Sequence, residues 1–242
     1  MHRAMPWTIH LDGIAGILQY QGVVETSPKE EWREIVTLMG VLDLPTHSLG
    51  RRGKSLHLWY KHCRNEHGID DTTGLPCSLL HELASVLEPD IEDRLLQWPG
   101  WPGDSTTCMM WDATRYAGAI MAREYRKHHD LPVNQDTHLV AMSVHMVMAN
   151  LRELRTCMDG DIWSHSNGLL FPLVAAGSQA QLLTFDDQAF IKDCIIALSG
   201  GSLSNWPYYQ AVLKALQTFW ATAGQKSLEE VTRDLGLELG LF

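Results

Sequence analysis

Paired cysteines are missing from this 242-residue chain. Its five, at positions 63, 77, 108, 157 and 194, are widely scattered and never form a C-x-x-C unit. Neither a disulfide framework nor a zinc module is indicated, and the thiols read as reduced groups of an intracellular protein. Positive charge is also scarce, with 19 Lys and Arg against 29 Asp and Glu and a formal net charge of −10. Phosphate binding runs on clustered cations, so direct nucleic-acid binding is not expected. No apolar run approaches the roughly 18 residues of a membrane span. The longest, Gly168–Gly177, is interrupted by Pro172, and the opening MHRAMPWTIH has no apolar run of signal-peptide length. The phosphate loop, the dinucleotide fingerprint, the G-x-S-x-G elbow and H-E-x-x-H are all absent. Twelve histidines invite a metal search, yet no two lie four apart, and His57, His62 and His67 recur at steps of five, which rotates them off a shared side. No metal and no cofactor are expected. Asp186-Asp187 lacks the third acid of the magnesium cluster found in helical isoprenoid cyclases, and reads as an acidic pair stabilised by a helix N-terminus.

What is present is helical periodicity. Asn134 to Met158 reads as one helix with Val140, Val144, Val147, Leu151, Leu154 and Met158 in an unbroken apolar stripe. A second row, Met142, His145 and Met148 beside Ala141 and Ala149, is nearly uncharged. A helix apolar on two sides must be covered on two sides, so this segment is expected near the centre of a bundle. Met and His are adaptable packers with a polarisable or polar atom, which makes the second row a candidate cavity wall. Nine tryptophans suit a large core or an apolar binding surface.

Other segments fit the same class. Trp7 to Gln21 reads as a helix with Leu11, Ile14, Ala15 and Leu18 inward, and Gly13 and Gly16 permit close approach of a neighbour. Ser27 to Glu30 is a capping box opening a helix with Trp32, Ile35, Val36 and Met39 inward. Asp43 to Gly53 is a loop, and Leu56, Trp59, Tyr60 and Cys63 mark a third helix. Helices follow from Pro76 and Pro89. The tandem Trp-Pro-Gly units from Trp98 to Ser105 form a rigid aromatic corner, and Asp104 or Ser105 caps a helix reaching about His128. Pro172 kinks or restarts the apolar segment after Trp163. Two further helices carry Phe190 to Leu198 and Val212 to Trp220, and Ser227 with Glu230 caps a short last one. Nothing alternates with a period of two, and nothing repeats. The expected fold is all-α: a single-domain multi-helix bundle of about ten helices over residues 1–242 with an apolar interior pocket.

Several stretches carry a family likeness: HLDGIAGILQYQG (His10–Gly22), LMGVLDLPTHSLGR (Leu38–Arg51), LHLWYKHCRNEHGIDDTTGLPCSLL (Leu56–Leu80), DIEDRLLQWPGWPGD (Asp90–Asp104), MWDATRYAGAIMARE (Met110–Glu124) and GLLFPLVAAGSQA (Gly168–Ala180). In this order they resemble the helical regulatory domain of fungal zinc-cluster transcription factors. The resemblance implies an all-α fold, a fungal source and a domain that senses small metabolites or partner proteins. It supplies no catalytic residues. No six-cysteine DNA reader precedes the matching region, so the chain taken from Met1 is expected to lack one.

Two functions from different classes follow as expectations. The first is a stand-alone small-molecule protein of fungal secondary metabolism, working as a cofactor-free cyclase of the pericyclic, Diels–Alder type on an apolar polyene or terpenoid. Positioning alone can be worth roughly 7–11 kcal/mol in such a step. Its candidate catalytic groups are His145, His165 and Tyr116, and its candidate substrate contacts are Met142, Met148, Asn150, Trp111, Trp163, Asn167 and Phe171. The plain reading of His145 is a core histidine bonded to a neighbouring carbonyl. The partner expected is a hydrophobic small molecule, with a homodimer left open, and the location is cytoplasmic. The second is a truncated regulator or interaction domain without catalysis, nuclear in location, with a filled core and an exposed apolar patch.

Overall fold

A computed structural model of the chain describes residues 8–20, 30–158, 167–200, 206–222 and 225–241. Among them are eleven α-helices and almost no sheet, an all-α multi-helix bundle. In order these are α1 (Thr8–Tyr20), α2 (Glu30–Leu42), α3 (Leu58–His62), α4 (Cys77–Ala84), α5 (Ile91–Gln97), α6 (Ser105–His128), α7 (Thr137–Cys157), α8 (Leu170–Gly177), α9 (Phe185–Leu198), α10 (Trp206–Ala221) and α11 (Leu228–Asp234). Two short strands, β1 (Ser48–Leu49) and β2 (Leu239–Gly240), pair antiparallel.

The bundle is built around α6 rather than α7, a correction to the sequence reading. Residues 116–123 of α6 are buried without a break, so every side of the helix is covered there. Small residues make this feasible: Ala117, Gly118, Ala119 and Ala122 let neighbours approach, and a Cβ on Gly118 would meet Leu83 Cδ2 at 2.5 Å. Helix α6 packs chiefly on α7, α5 and α8. Asp104 caps it by accepting from the Thr107 backbone N–H. On α7 only the first stripe, Val144, Val147, Leu151 and Leu154 with Ser143 and Met148, turns inward. Met142 and His145 are exposed, so the second row does not wall a cavity. Small and unbranched side chains tolerate either side of a helix, and their lack of charge does not mark burial.

Other local readings met the structure unevenly. Pro172 sits in the first turn of α8, where its missing N–H costs nothing, and the helix restarts there. Ser227 and Glu230 form the capping box of α11, and a second box, Thr184 with Asp187, opens α9. Of the aromatic corner, Trp98 is buried and donates to Ser78 Oγ at 3.2 Å, whereas Trp101 is exposed. Helix α1 buries Leu11 but leaves Ile14 exposed, and a Cβ on Gly13 or Gly16 would meet nothing. The box at Ser27 falls outside the described residues.

The strand pair was not anticipated. It brings the end of the chain against the segment after α2, where the Leu241 N–H donates to the His47 carbonyl at 2.8 Å. Gly50 follows β1 at φ +69°, close under the Leu237 carbonyl, and its N–H donates to Glu229 at 2.7 Å. Residues nearly 200 positions apart thereby frame one side of a cleft.

Candidate functional site

The cleft has a volume of about 710 Å³ and opens to solvent on one side. Its walls come from residues 45–57, the C-terminal end of α6 and His129, Phe219 of α10, and α11 with its cap. Leu49, Met121, Tyr125, Phe219 and Leu228 give it an apolar side. Charge dominates the remainder.

The wall formed by residues 50–57 is held by one buried carboxylate. Asp43, at the end of α2, accepts from Arg51 at 2.5 Å, from the Leu56 N–H at 3.1 Å and from the Leu58 N–H at 3.0 Å. Its side chain is fully buried, and that of Arg51 nearly so. Ser55 Oγ donates to the same carboxylate at 3.2 Å. Asp43 thus caps α3 from outside the helix, doing what the residue before Leu58 ordinarily does.

That residue is His57, and its own side chain makes no capping bond. Its backbone is left-handed, φ 54° and ψ 42°, a conformation that non-glycine residues adopt sparingly and at a cost. Its Nδ1 is buried without a hydrogen-bond partner. Burial pushes the imidazole below the ordinary histidine range, with the Asp43 carboxylate opposing the shift and Lys61, Arg51 and His129 adding to it. Two more imidazoles line the cleft. His129 stacks on Tyr125 at 4.0 Å and donates Nδ1–H to the Tyr125 carbonyl, while His128 Nε2 accepts from Arg233 at 3.1 Å.

The charges divide sharply. Each carboxylate in the cleft has local partners: Glu124 binds Lys127, Glu229 binds Arg233 and the Gly50 N–H, and Glu230 closes the α11 capping box. Among the described residues the side chains of Arg52 and Lys54 have none, and both are exposed at the cleft. A smaller crevice of about 460 Å³ lies beside Trp59, Arg64 and Arg94. There Arg94 pairs with Glu82, Arg64 Nε donates to the Tyr60 carbonyl, and Trp59 Nε1 lacks an acceptor.

The residues singled out from the sequence lie elsewhere, divided between the outer side of α7 and the packed core. His145 and Met142 face solvent, whereas Met148 is in the core. Asn150 is half-buried and donates to its own helix at Met146. Tyr116 is buried, and its hydroxyl accepts from Arg115 at 2.9 Å while the guanidinium lies over its ring. Trp111 donates to the Gly74 carbonyl at 2.9 Å, and Phe171 stacks on the buried His47 at 3.7 Å. None of these seven lines either cavity. Trp163 and His165 fall outside the described residues, as does the side chain of Asn167. The signal that could have pointed to the cleft is RRGK, three cations in four residues of an acidic chain. Among the described residues no three His, Cys, Asp or Glu side chains converge as a metal site requires, and no helix is long and apolar enough to cross a membrane. Compared with family models, curated proteins and solved structures, the chain matches none, and the likeness to the fungal regulatory domain rests on its sequence segments alone.

Proposed function

We propose that this is a small-molecule-binding helical protein whose ligand occupies the cleft beside residues 50–57. The observation that carries the reading is His57, a strained residue with an unpartnered buried nitrogen on the wall of a cleft of about 710 Å³. That volume falls within the range of ligand pockets, and an apolar side with a few polar groups is the usual composition of one. The metabolite-sensing role of the domain it resembles points the same way. Of the candidate groups for cofactor-free cyclisation, His145 is solvated, the Tyr116 hydroxyl is engaged by Arg115, and His165 lies outside the described residues, so the cleft gives that step no group named for it. The proposal is therefore binding rather than turnover.

Photolabelling with an aryl-diazirine amphiphile tests it. Adducts mapped by mass spectrometry should fall on peptides covering residues 45–57, 121–129 and 227–233. Adducts confined to other surfaces would overturn the reading.

One observation favours the interaction-domain alternative. Ile9, Ile14, Ile17 and Tyr20 leave an apolar face of α1 exposed, Tyr20 at 90%. Light scattering distinguishes the two. A dimer abolished by Ile17→Lys would support association through α1, and a monomer would remove that support.

A further inference from the structure

The chain carries ten more acids than bases, and among the described residues the side chains of Arg52 and Lys54 pair with none of them, although Glu124, Glu229 and Glu230 line the same cleft. Those three carboxylates are held by Lys127, by Arg233 and the Gly50 N–H, and by the Ser227 cap. Moving any of them to Arg52 or Lys54 would break a bond already made. Arg51 cannot serve a ligand at full strength either, because its guanidinium is committed to Asp43. The cleft therefore displays two unneutralised cations next to a third that is internally paired. Beside them His57, on a left-handed backbone, lines the cleft with a ring whose Nδ1 is buried and unpartnered, so that a rotation of the ring toward the cleft would offer that nitrogen to a ligand.

We propose that the ligand of this cleft carries an oxyanion, a carboxylate, sulfonate or phosphate, held by Arg52, Lys54 and His57. The proposal rests on the cleft being a binding site and names the class of molecule that fills it. Its physical basis is complementarity. An oxyanion offers acceptor lone pairs to the two cations and, once the ring has turned toward the cleft, to His57 Nδ1–H, and it relieves the repulsion among cations crowded into one loop. The apolar side, with Phe219 and Leu228, takes the body of the molecule. An uncharged amphiphile satisfies only that side.

A matched pair of fluorescent probes separates the two contributions: 8-anilinonaphthalene-1-sulfonate and the uncharged N-phenyl-1-naphthylamine, which share an aromatic body. At low ionic strength the sulfonate should bind about tenfold or more tightly than the neutral probe, the amount expected of two exposed ion pairs and one charge-assisted hydrogen bond. About 1 M salt, which shortens the screening length to roughly 3 Å, should erase most of the difference. The exposed double variant Arg52→Glu/Lys54→Glu should lose about tenfold for the sulfonate and leave the neutral probe within about twofold. Equal affinity for the two probes would overturn the oxyanion inference while leaving binding intact, as would sulfonate binding insensitive to Arg52→Glu/Lys54→Glu. If neither probe competes with the photolabel for the cleft, the binding reading itself falls.

Discussion

Removing the Asp43 carboxylate should damage the fold more than removing its ionic partner, and the structure gives the reason. In Asp43→Ala the Arg51 guanidinium, on a side chain only 9% exposed, keeps three weak contacts, to the carbonyls of residue 43, Gly53 and Lys54, but loses its counter-charge. The N–H groups of Leu56 and Leu58 lose their acceptor at the same time. Breaking a buried pair typically costs about 3–5 kcal/mol, and an orphaned buried donor about 1–3 kcal/mol. Water entering the vacated space offsets part of this, and about 4 kcal/mol is the expected loss. In Arg51→Ala the carboxylate retains two backbone donors and Ser55, so about 2 kcal/mol is expected. The double variant should be no worse than Asp43→Ala by more than about 1 kcal/mol, since the stranded cation is gone as well. Urea unfolding followed by circular dichroism and tryptophan fluorescence measures all three, with coincident transitions as the check on two-state behaviour. A loss below about 1 kcal/mol for Asp43→Ala, or a larger loss for Arg51→Ala, would refute the argument that this carboxylate organises the wall of the cleft.

Two further outcomes follow from single positions. Burial pushes His47 down to about 3, so the folded chain keeps it neutral where the unfolded chain, at the ordinary 6.5, binds a proton. Its contribution is complete above pH 6.5 and is lost as pH falls from there toward 3, with stability dropping about 1.4 kcal/mol per pH unit within the window. Urea midpoints between pH 4 and 7 should show this slope, and His47→Phe should flatten it; an equal slope in the variant would exclude His47 as the source. Gly50→Ala would force a side chain into a left-handed backbone and set its Cβ 2.3 Å from the Leu237 carbonyl oxygen. About 3 kcal/mol or more should be lost, lowering Tm by about 6–12 °C in a scanning measurement.

How much of this was legible in the sequence depended on how local the cause was. The long helix ending at His128 and the box at Ser227 are set by residues within a few positions of one another. The stripe from Val144 to Leu154 gave the buried side of α7 correctly, because large branched residues are costly to expose. Its second row misled because Ala, Met and His do not decide burial on their own. The cleft was not legible. Its walls depend on a two-residue strand pair between positions 48–49 and 239–240, and on a carboxylate at 43 capping a helix that starts at 58. Nothing in helical periodicity reports contacts of that range. The RRGK cluster was visible, but it pointed nowhere until the acids nearby were seen to be already bonded.

His57 is where stability and function should part company. A left-handed conformation costs a non-glycine residue about 1 kcal/mol or more, and glycine escapes most of that cost. A histidine there purely for folding would be replaceable with profit: it caps nothing, and its Nδ1 meets no partner. His57→Gly should therefore raise the urea-derived stability by about 1 kcal/mol, reduced somewhat by the greater freedom of glycine in the unfolded chain. The same substitution should weaken the sulfonate probe about fivefold or more, because it deletes one charge-assisted donor, and leave the neutral probe little changed. Both signs matter. If His57→Gly destabilises the chain, the imidazole is a packing element and its strain has a structural explanation. If stability rises and sulfonate affinity does not fall, the residue is strained without serving this ligand. Only a gain in one measurement with a loss in the other fits a side chain kept in a costly conformation for the sake of what enters the cleft.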